Sequence, residues 1–332
     1  MLLFLATIVE QLDLALEHVL KGDVHNCRFS LMLTDNAVEL LLHQFAKDKA
    51  GYNNTFSHLR EKYPHNAALT KALGKAFDAK VKFAKIEGKL GNAPARTFSI
   101  MHDYRNEIYH VGLQHESILP SLARFYLEAA CTYMKDFKPY GLGWGSSQKL
   151  PERAKKYFQG KSFMPGKIED FESACAKIAA ASGHDTASFV EVLADDVDEV
   201  VSTQDTCIDI VANGPYDDSK TTRDLAVVSC QTWPLAFSEE GQTFARENGY
   251  AGNQLRLSGW LAEHYPLSFK SDPVPSWKQQ AARLRRQKDA HEALEYYHSF
   301  MITTAPLRDA IYESAGAVER EIDAQIERMR GK

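Results

Sequence analysis

Residues 102–112 read HDYRNEIYHVG, and they close a helical pattern that begins near Ala95. At about 100° per residue, the polar side chains of Asp103, Asn106 and His110 share one face of this helix. A second face carries only apolar and aromatic side chains, those of Ile100, Tyr104, Ile108 and Val111. Gly112 predicts the end of the helix, just past the histidine. Because such a helix buries one face and exposes another, it needs other helices to pack against.

The neighbouring sequence predicts those helices. Residues 3–21 repeat apolar side chains at the helical period, and residues 25–48 do so until GYNN at 51–54 interrupts the pattern. Further helices are predicted over residues 55–63, 67–90, 95–112 and 117–136. Several amphipathic helices with short connections are typical of an antiparallel bundle. We therefore predict an N-terminal antiparallel helical bundle over residues 1–138.

The remainder of the chain predicts a second, mostly helical domain. Residues 139–166 include the glycine- and serine-rich stretch YGLGWGSSQ at 140–148, which indicates a linker or an ordered loop. Residues 167–332 form the predicted C-terminal domain, with helices over residues 168–181, 186–202, 253–265, 276–300 and 304–329. Residues 205–213 and 224–237 fit either a helix or a strand. The predicted fold class is mainly α.

Composition excludes several classes of protein. The net charge of −5, with its acidic excess in the second half, argues against a surface coated for nucleic acid. The five cysteines never form a C-x-x-C pair, as expected for reduced thiols without a zinc site. Residues 1–9 run directly into acids at helical spacing, which favours a first core helix over a signal peptide. No apolar run approaches the length of a membrane span. We expect a cytoplasmic protein with no membrane partner, no cofactor and no metal.

The predicted helix over residues 67–90 carries a lysine stripe. Five lysines project within about 40° of one direction, while Leu73, Phe77 and Ala84 point the other way and Lys80 falls on the apolar side. A solvated face explains this pattern, and so does a stripe that contacts RNA phosphates without reading sequence. The lysines of this RNA-binding hypothesis are Lys71, Lys75, Lys82, Lys85 and Lys89.

The stretch at 102–112 also contains the residue types that cleave RNA without a metal. Histidine transfers protons near neutral pH, and arginine holds a phosphate through its charged fork. Arg105 and His110 supply these two groups, and Asn106 and Asp103 supply an amide and a carboxylate to orient them. The spacing alone is weak, because similar arginine–histidine pairs occur elsewhere in the chain: Arg60–His65, Arg96–His102, Arg285–His291 and Arg286–His291. An exposed arginine and a helix-capping histidine are the structural alternative for Arg105 and His110.

Arg105-Asn106-x-x-x-His110, late in a short N-terminal bundle, resembles the motif of the HEPN superfamily. The resemblance covers roughly residues 1–138, and the C-terminal half is not recognised. It implies a metal-independent endoribonuclease whose composite site forms across a homodimer from Arg105, Asn106 and His110. It also implies a polar residue on an earlier helix, for which Asp35 is the candidate; a local cap or a surface charge is the other explanation for Asp35. Gly112 departs from the toxin subclass, which often has tyrosine there.

Two functions follow as expectations. The resemblance implies an RNA substrate and a role in phage defence or a stress response, with the C-terminal domain sensing or docking a regulatory protein or ligand. The alternative is a non-catalytic helical module for dimerisation or protein interaction. Arg105 and His110 lie about 140° apart on one helix, so a site shared by two chains suits them better than a site within one.

Two charged clusters in the second half offer further alternatives. Several basic residues without an intervening acid suit either RNA contact or a solvated helix flank: Lys278, Arg283, Arg285, Arg286 and Lys288. Several acids suit either a divalent metal or, more simply, a solvent-facing helix: Glu191, Asp195, Asp196, Asp198 and Glu199. No histidine accompanies these acids at metal-ligand spacing.

Overall fold

The structure, a computed structural model, describes residues 1–55, 63–110, 116–145, 147–160 and 164–331. These residues form thirteen α-helices, two short 3-10 helices and no strand, which confirms the predicted mainly α fold class. Of the helices described, none combines the length and apolar character that crossing a bilayer requires. The α-helices are α1 Leu2–Lys21, α2 Val24–Thr55, α3 Asn66–Ala72, α4 Phe77–Ile86, α5 Asn92–His110, α6 Leu119–Met134, α7 Ile168–Ala181, α8 Thr186–Asn213, α9 Arg223–Phe237, α10 Glu239–Glu247, α11 Gln254–His264, α12 Val274–Leu284 and α13 Ala290–Met329.

The chain divides into two compact units. The first comprises residues 1–193 and 287–295, and the second comprises residues 194–286 and 296–332. The predicted linker at 139–166 therefore lies inside the first unit. The reason is packing, because α7 contacts both α1 and α6 and buries Phe171 and Cys175.

The first unit is a helical bundle around α1, α2 and α6. Helix α1 packs on α2, α6 and α7, while α2 also contacts α4 and α5. The apolar positions of α1 that the sequence spaces at the helical period, among them Leu5, Ile8 and Leu12, are buried. Gly22 ends α1 in the left-handed region, at φ 77°, and its N–H donates to the carbonyl of Val19.

Helix α2 is longer than predicted. The GYNN stretch at 51–54 was expected to end it, but the helix continues to Thr55. Tyr52 stacks on Tyr140, with ring centroids 5.0 Å apart, and Thr55 donates a hydrogen bond to the carbonyl of Gly51. Tertiary contacts here outweigh the low helix propensity of glycine and asparagine. The predicted helix at 55–63 falls mostly outside the described residues.

The predicted helix over residues 67–90 is wrong as a single helix. The chain leaves helical structure between α3 and α4, at residues 73–76. Nζ of Lys80 lies 2.9 Å from the carbonyl oxygen of Lys75 and 3.1 Å from Oε1 of Glu39, and it also donates to the carbonyl of Ala76. Lys80, which falls on the apolar side of the sequence pattern, is almost wholly buried. Its ammonium group thus joins the start of α4 to Glu39 of α2.

The second unit has its own core and ion pairs. Helices α9, α10 and α11 contact one another around Ala236, Ala245, Leu257 and Leu261. Residues 224–237, which the sequence left as helix or strand, lie in α9. Arg223 at the start of α9 binds Asp205 of α8, with Nη2 2.6 Å from Oδ1, and Asp272, with Nε 2.7 Å from Oδ2.

The last predicted helix break is in the wrong place. Residues 276–300 and 304–329 were expected to be two helices, but the break falls at residues 285–289 and α13 runs on through Pro306. Asp289 starts α13, because its carboxylate accepts a hydrogen bond from the backbone N–H of Glu292 at 3.0 Å. An aspartate N-cap is a strong helix start signal.

Candidate functional site

Helix α5 positions the residues of the candidate site by burying one side against the bundle. Phe98, Met101 and Tyr104 are buried, and so are Ile100 and Ile108 of the predicted apolar face. Val111 and the predicted helix stop at Gly112 lie outside the described residues. The carbonyl of Ile108 accepts a hydrogen bond from Nη2 of Arg28 on α2, at 2.8 Å. The last described turn of α5 is therefore fixed to α2.

Asp35 of α2 is a buried acid beneath this helix. Its side chain is only 2% exposed. Tyr126 of α6 donates its hydroxyl to Oδ1 at 2.8 Å, and Nδ1 of His102 on α5 lies 3.0 Å from Oδ2. Nε of Arg105 lies 3.8 Å from the same Oδ2. Three helices thus meet at one carboxylate, which a local cap or a surface charge does not explain.

Arg105 lies above Asp35 with part of its side chain in solvent. About a third of the side chain, 33%, is exposed. Nη1 donates to the amide oxygen of Asn106 at 2.9 Å, and the guanidinium lies over the ring of Tyr109, 5.4 Å from its centroid. These contacts orient the guanidinium without enclosing it. A phosphate group matches such a partly exposed fork.

His110 is exposed at the end of the described part of α5. Its ring meets the ring of Tyr109 edge-on, with centroids 5.0 Å apart. Tyr109 therefore contacts both Arg105 and His110, and its own side chain is largely exposed. Tyr109 thus lies between the arginine and the histidine of the motif.

Burial and charge set the titration of the groups around Asp35. Burial acts to lower the pKa of His102, but the hydrogen bond and negative charge of Asp35 outweigh it and raise that pKa. Burial, together with the charge of Asp35, holds the pKa of Tyr126 well above its ordinary value. Tyr126 therefore stays a neutral donor, and His102 keeps its proton to a higher pH than a free histidine would.

The other predicted residues are not all part of this arrangement. Arg105 contacts Asn106 and Asp35, His110 contacts Tyr109, and Asp103 is exposed on the same helix. The five lysines of the predicted stripe are all exposed, but they no longer share one helix. Lys71 lies in α3, Lys75 in the connection, Lys82 and Lys85 in α4, and Lys89 after it.

Sequence reasoning missed His102. In the sequence it stood out only as the weaker partner of Arg96, which instead pairs with Glu295. In the structure it contacts Asp35, and its ring lies flat on Phe77, with centroids 4.0 Å apart and planes 3° apart. The one available signal was its position one helical turn before Arg105. Its partner Asp35 lies 67 positions away in the sequence and comes close only in the folded structure.

Two members of the basic cluster in the second half form ion pairs with nearby acids. Nη2 of Arg285 lies 2.9 Å from Asp195 and 2.7 Å from Asp198, and Lys278 binds Asp205 at 2.8 Å. These ion pairs within the second unit favour structural roles over RNA contact or metal binding. Among the described residues, no group of three or more histidine, cysteine or acidic side chains is placed to hold a metal ion.

No protein-family model, curated protein or solved structure matches this chain.

Proposed function

We propose that this chain is a metal-independent endoribonuclease of the HEPN type, acting as a homodimer on RNA. The observation that carries the proposal is the arrangement at α5. Arg105 is a partly exposed cation, oriented by Asn106 and by the buried Asp35, and Tyr109 joins it to the exposed His110. A partly exposed arginine that lies 3.8 Å from a buried acid is unusual for a residue that serves only solubility.

Each residue has a role in this reaction. His110 takes the proton of a ribose 2′-hydroxyl or gives one to the leaving 5′-oxygen. Arg105 binds the phosphoryl oxygens and stabilises the charge that develops on them, and Asn106 orients Arg105. The 2′-oxygen attacks phosphorus, the bond to the 5′-oxygen breaks, and the products carry a 2′,3′-cyclic phosphate and a 5′-hydroxyl. No metal takes part.

The homodimer supplies the second proton-transfer group. One imidazole cannot remove a proton from one oxygen while it protonates another, so two copies of His110 suit a single step. The α5 helices of two chains would meet near His110 and bring each Arg105 within reach of one phosphate. The context that the resemblance implies, phage defence or a stress response, belongs to this proposal, as does a regulatory role for the second unit.

RNA cleavage in the presence of EDTA tests the proposal. End-labelled single-stranded RNA of mixed sequence is incubated with the wild-type protein and with the variants Arg105→Ala and His110→Ala. Each variant is expected to cleave about 100-fold more slowly or worse, because each loses a group that acts in the transition state. The same RNA carrying 2′-O-methyl groups should remain intact, since its attacking hydroxyl is blocked.

Matched controls come from the same unit. Arg96→Ala removes another partly exposed arginine of α5, and His65→Ala removes another exposed histidine. Both should cleave RNA at the wild-type rate. Intact RNA with the wild-type protein, or equal cleavage by all variants, would reject the ribonuclease and favour a helical interaction module.

A further inference from the structure

An imidazole and a guanidinium approach the same oxygen of Asp35. His102 holds the close position, with Nδ1 3.0 Å from Oδ2, and Arg105 is left at 3.8 Å, beyond hydrogen-bond distance. Tyr126 already occupies the other oxygen. The carboxylate is therefore shared unequally between an imidazole at hydrogen-bond distance and a guanidinium that makes only a longer ion pair.

Phe77 fixes this order. The ring of His102 lies flat on the buried ring of Phe77, so the imidazole cannot turn away without losing that stack. Arg105, by contrast, contacts the amide of Asn106 and the face of Tyr109, which hold it less tightly. Without His102, Arg105 would move about 1 Å and form a direct ion pair with a buried, uncompensated carboxylate.

We propose that His102 is a positioning residue that keeps Arg105 available for phosphate by binding Asp35 as an imidazolium and neutralising its charge. The inference rests on the proposed function in one respect, that the phosphate ligand is RNA. His102 itself need not touch the substrate. It acts through Asp35: His102 neutralises the charge of Asp35, so that Arg105 does not have to.

The device depends on pH. The charged groups that face His102 are Asp35 and Glu39 of α2 and Arg105 of its own helix, with the neutral Tyr126 of α6 nearby. Lys80 of α4 in turn binds Glu39. Below its pKa, which Asp35 raises, the imidazolium cancels the charge of Asp35. Above it, the charge of Asp35 is exposed to Arg105, so phosphate binding should weaken as pH rises through that pKa.

Chemical modification of Arg105 tests the inference without any RNA. Phenylglyoxal modifies exposed guanidinium groups, and mass spectrometry gives the rate at Arg105 relative to Arg96 in the same helix. At one fixed pH, His102→Ala should slow modification of Arg105 about three- to tenfold, because Arg105 closes onto Asp35. The double variant His102→Ala/Asp35→Asn should regain the wild-type rate, because no charged acid remains.

Binding of a non-cleavable RNA gives the second readout. A fluorescent 2′-O-methyl oligonucleotide is titrated against the wild-type protein and the same variants, from pH 6 to pH 9. We expect His102→Ala to bind about tenfold more weakly and the double variant to recover. His102→Gln, which can still donate to Asp35 but carries no charge, should bind weakly at every pH. His102→Gln also replaces His102→Ala in both experiments if the alanine variant does not fold.

The outcomes separate this inference from the proposed function. If the wild-type protein leaves ordinary RNA intact, the ribonuclease is rejected, yet the modification rates still decide what His102 does. An unchanged rate at Arg105 in His102→Ala and in His102→Gln would overturn the inference. So would a slowed rate that Asp35→Asn fails to restore, because a merely structural histidine predicts no such recovery.

Discussion

Asp13 and Asp35 are both buried acids of the first unit, but their partners differ in kind. Asp35 is bound by side chains of the neighbouring helices α5 and α6. Asp13 of α1 is bound by residues of a short 3-10 helix, Arg153–Lys156, and by the hydroxyl of Tyr157 just after it. Its contacts with Lys156 at 2.6 Å and Tyr157 at 2.7 Å attach to α1 a stretch that the sequence indicated was a linker.

Replacement of Asp13 should destabilise the first unit. Asp13→Asn removes the charge that two cations share and weakens the hydrogen bond from Tyr157. We expect the free energy of unfolding to fall by about 1–3 kcal/mol, measured by urea denaturation. Glu17→Gln is the matched control, because Glu17 binds the same Arg153 from an exposed position. A change in Glu17→Gln as large as that in Asp13→Asn would contradict this account.

The same carboxylate gives a pH dependence with a definite sign. Burial acts to raise the pKa of Asp13, but hydrogen bonds from Lys156, Tyr157 and Arg153 outweigh it and hold the pKa below its ordinary value of 3.8. The unfolded chain therefore binds the proton more readily, and stability rises with pH. The contribution is complete above pH 3.8 and is lost as pH falls through the lower folded value. Asp13→Asn should unfold with a flatter acid profile.

The candidate site could be predicted from sequence only in part. Arg105, Asn106 and His110 lie within one helical stretch, so their types and spacing were visible. Asp35 was implied by a resemblance, and its burial was not foreseen. His102 was missed because its role depends on contacts with other helices, the carboxylate of Asp35 on α2 and the ring of Phe77 on α4. Contacts of this kind depend on packing, which a local pattern does not record.

Helix α4 depends on a buried lysine at its first turn. Lys80→Met keeps the apolar stem but removes the ammonium group from Glu39 and from the carbonyls of Lys75 and Ala76. Stability should fall by about 1–3 kcal/mol, because those groups lose their buried partner. Thermal denaturation followed by circular dichroism measures the loss.

The control for this substitution is Lys82→Met, two residues along the same helix. Lys82 is exposed, so its replacement should change stability little. Equal losses in both variants would show that helix propensity, and not the buried ammonium group, governs the start of α4.

Helices with one clear periodicity were predicted well, and helices that packing extends were not. Residues 168–181 match α7 to the residue, and residues 3–21 match α1 within one. The C-terminal end of α2 and the course of α13 were misplaced, because residues 51–54 and Pro306 lie inside helices. Glycine, asparagine and proline weaken a helix locally, and tertiary contacts decide whether it ends. The break between α3 and α4 was not predicted, because the helical pattern of residues 67–90 continues across it in the sequence.

On the scale of the molecule, the first unit extends well beyond the predicted bundle at 1–138. Phe125 of α6 packs on Phe189 of α8, with ring centroids 4.7 Å apart, and α7 covers α1 and α6. Residues 287–295 add His291, whose Nδ1 lies 2.7 Å from the hydroxyl of Thr97. Removal of everything after residue 138 would expose this apolar surface.

Two fragments test the extent of this unit. Residues 1–193 should unfold in one cooperative urea transition, because they retain α7, Phe189 and the partners of Asp13. Residues 1–138 should unfold gradually and bind the dye ANS, which reports exposed apolar surface. A sharp transition and no dye binding for the 1–138 fragment would instead support a self-sufficient bundle of that length.

The positions of the Asp35 partners in the sequence also determine the order in which the site can form during synthesis. His102 and Tyr126 follow Asp35 by 67 and 91 positions, so during synthesis the acid leaves the ribosome long before either of them. Arg105 emerges with His102, while Tyr126 comes later with α6. The carboxylate acquires its full set of partners only when α6 docks. In a nascent chain, the motif of α5 is therefore synthesised before Asp35 has all its partners. The complete arrangement forms only after most of the bundle has been synthesised.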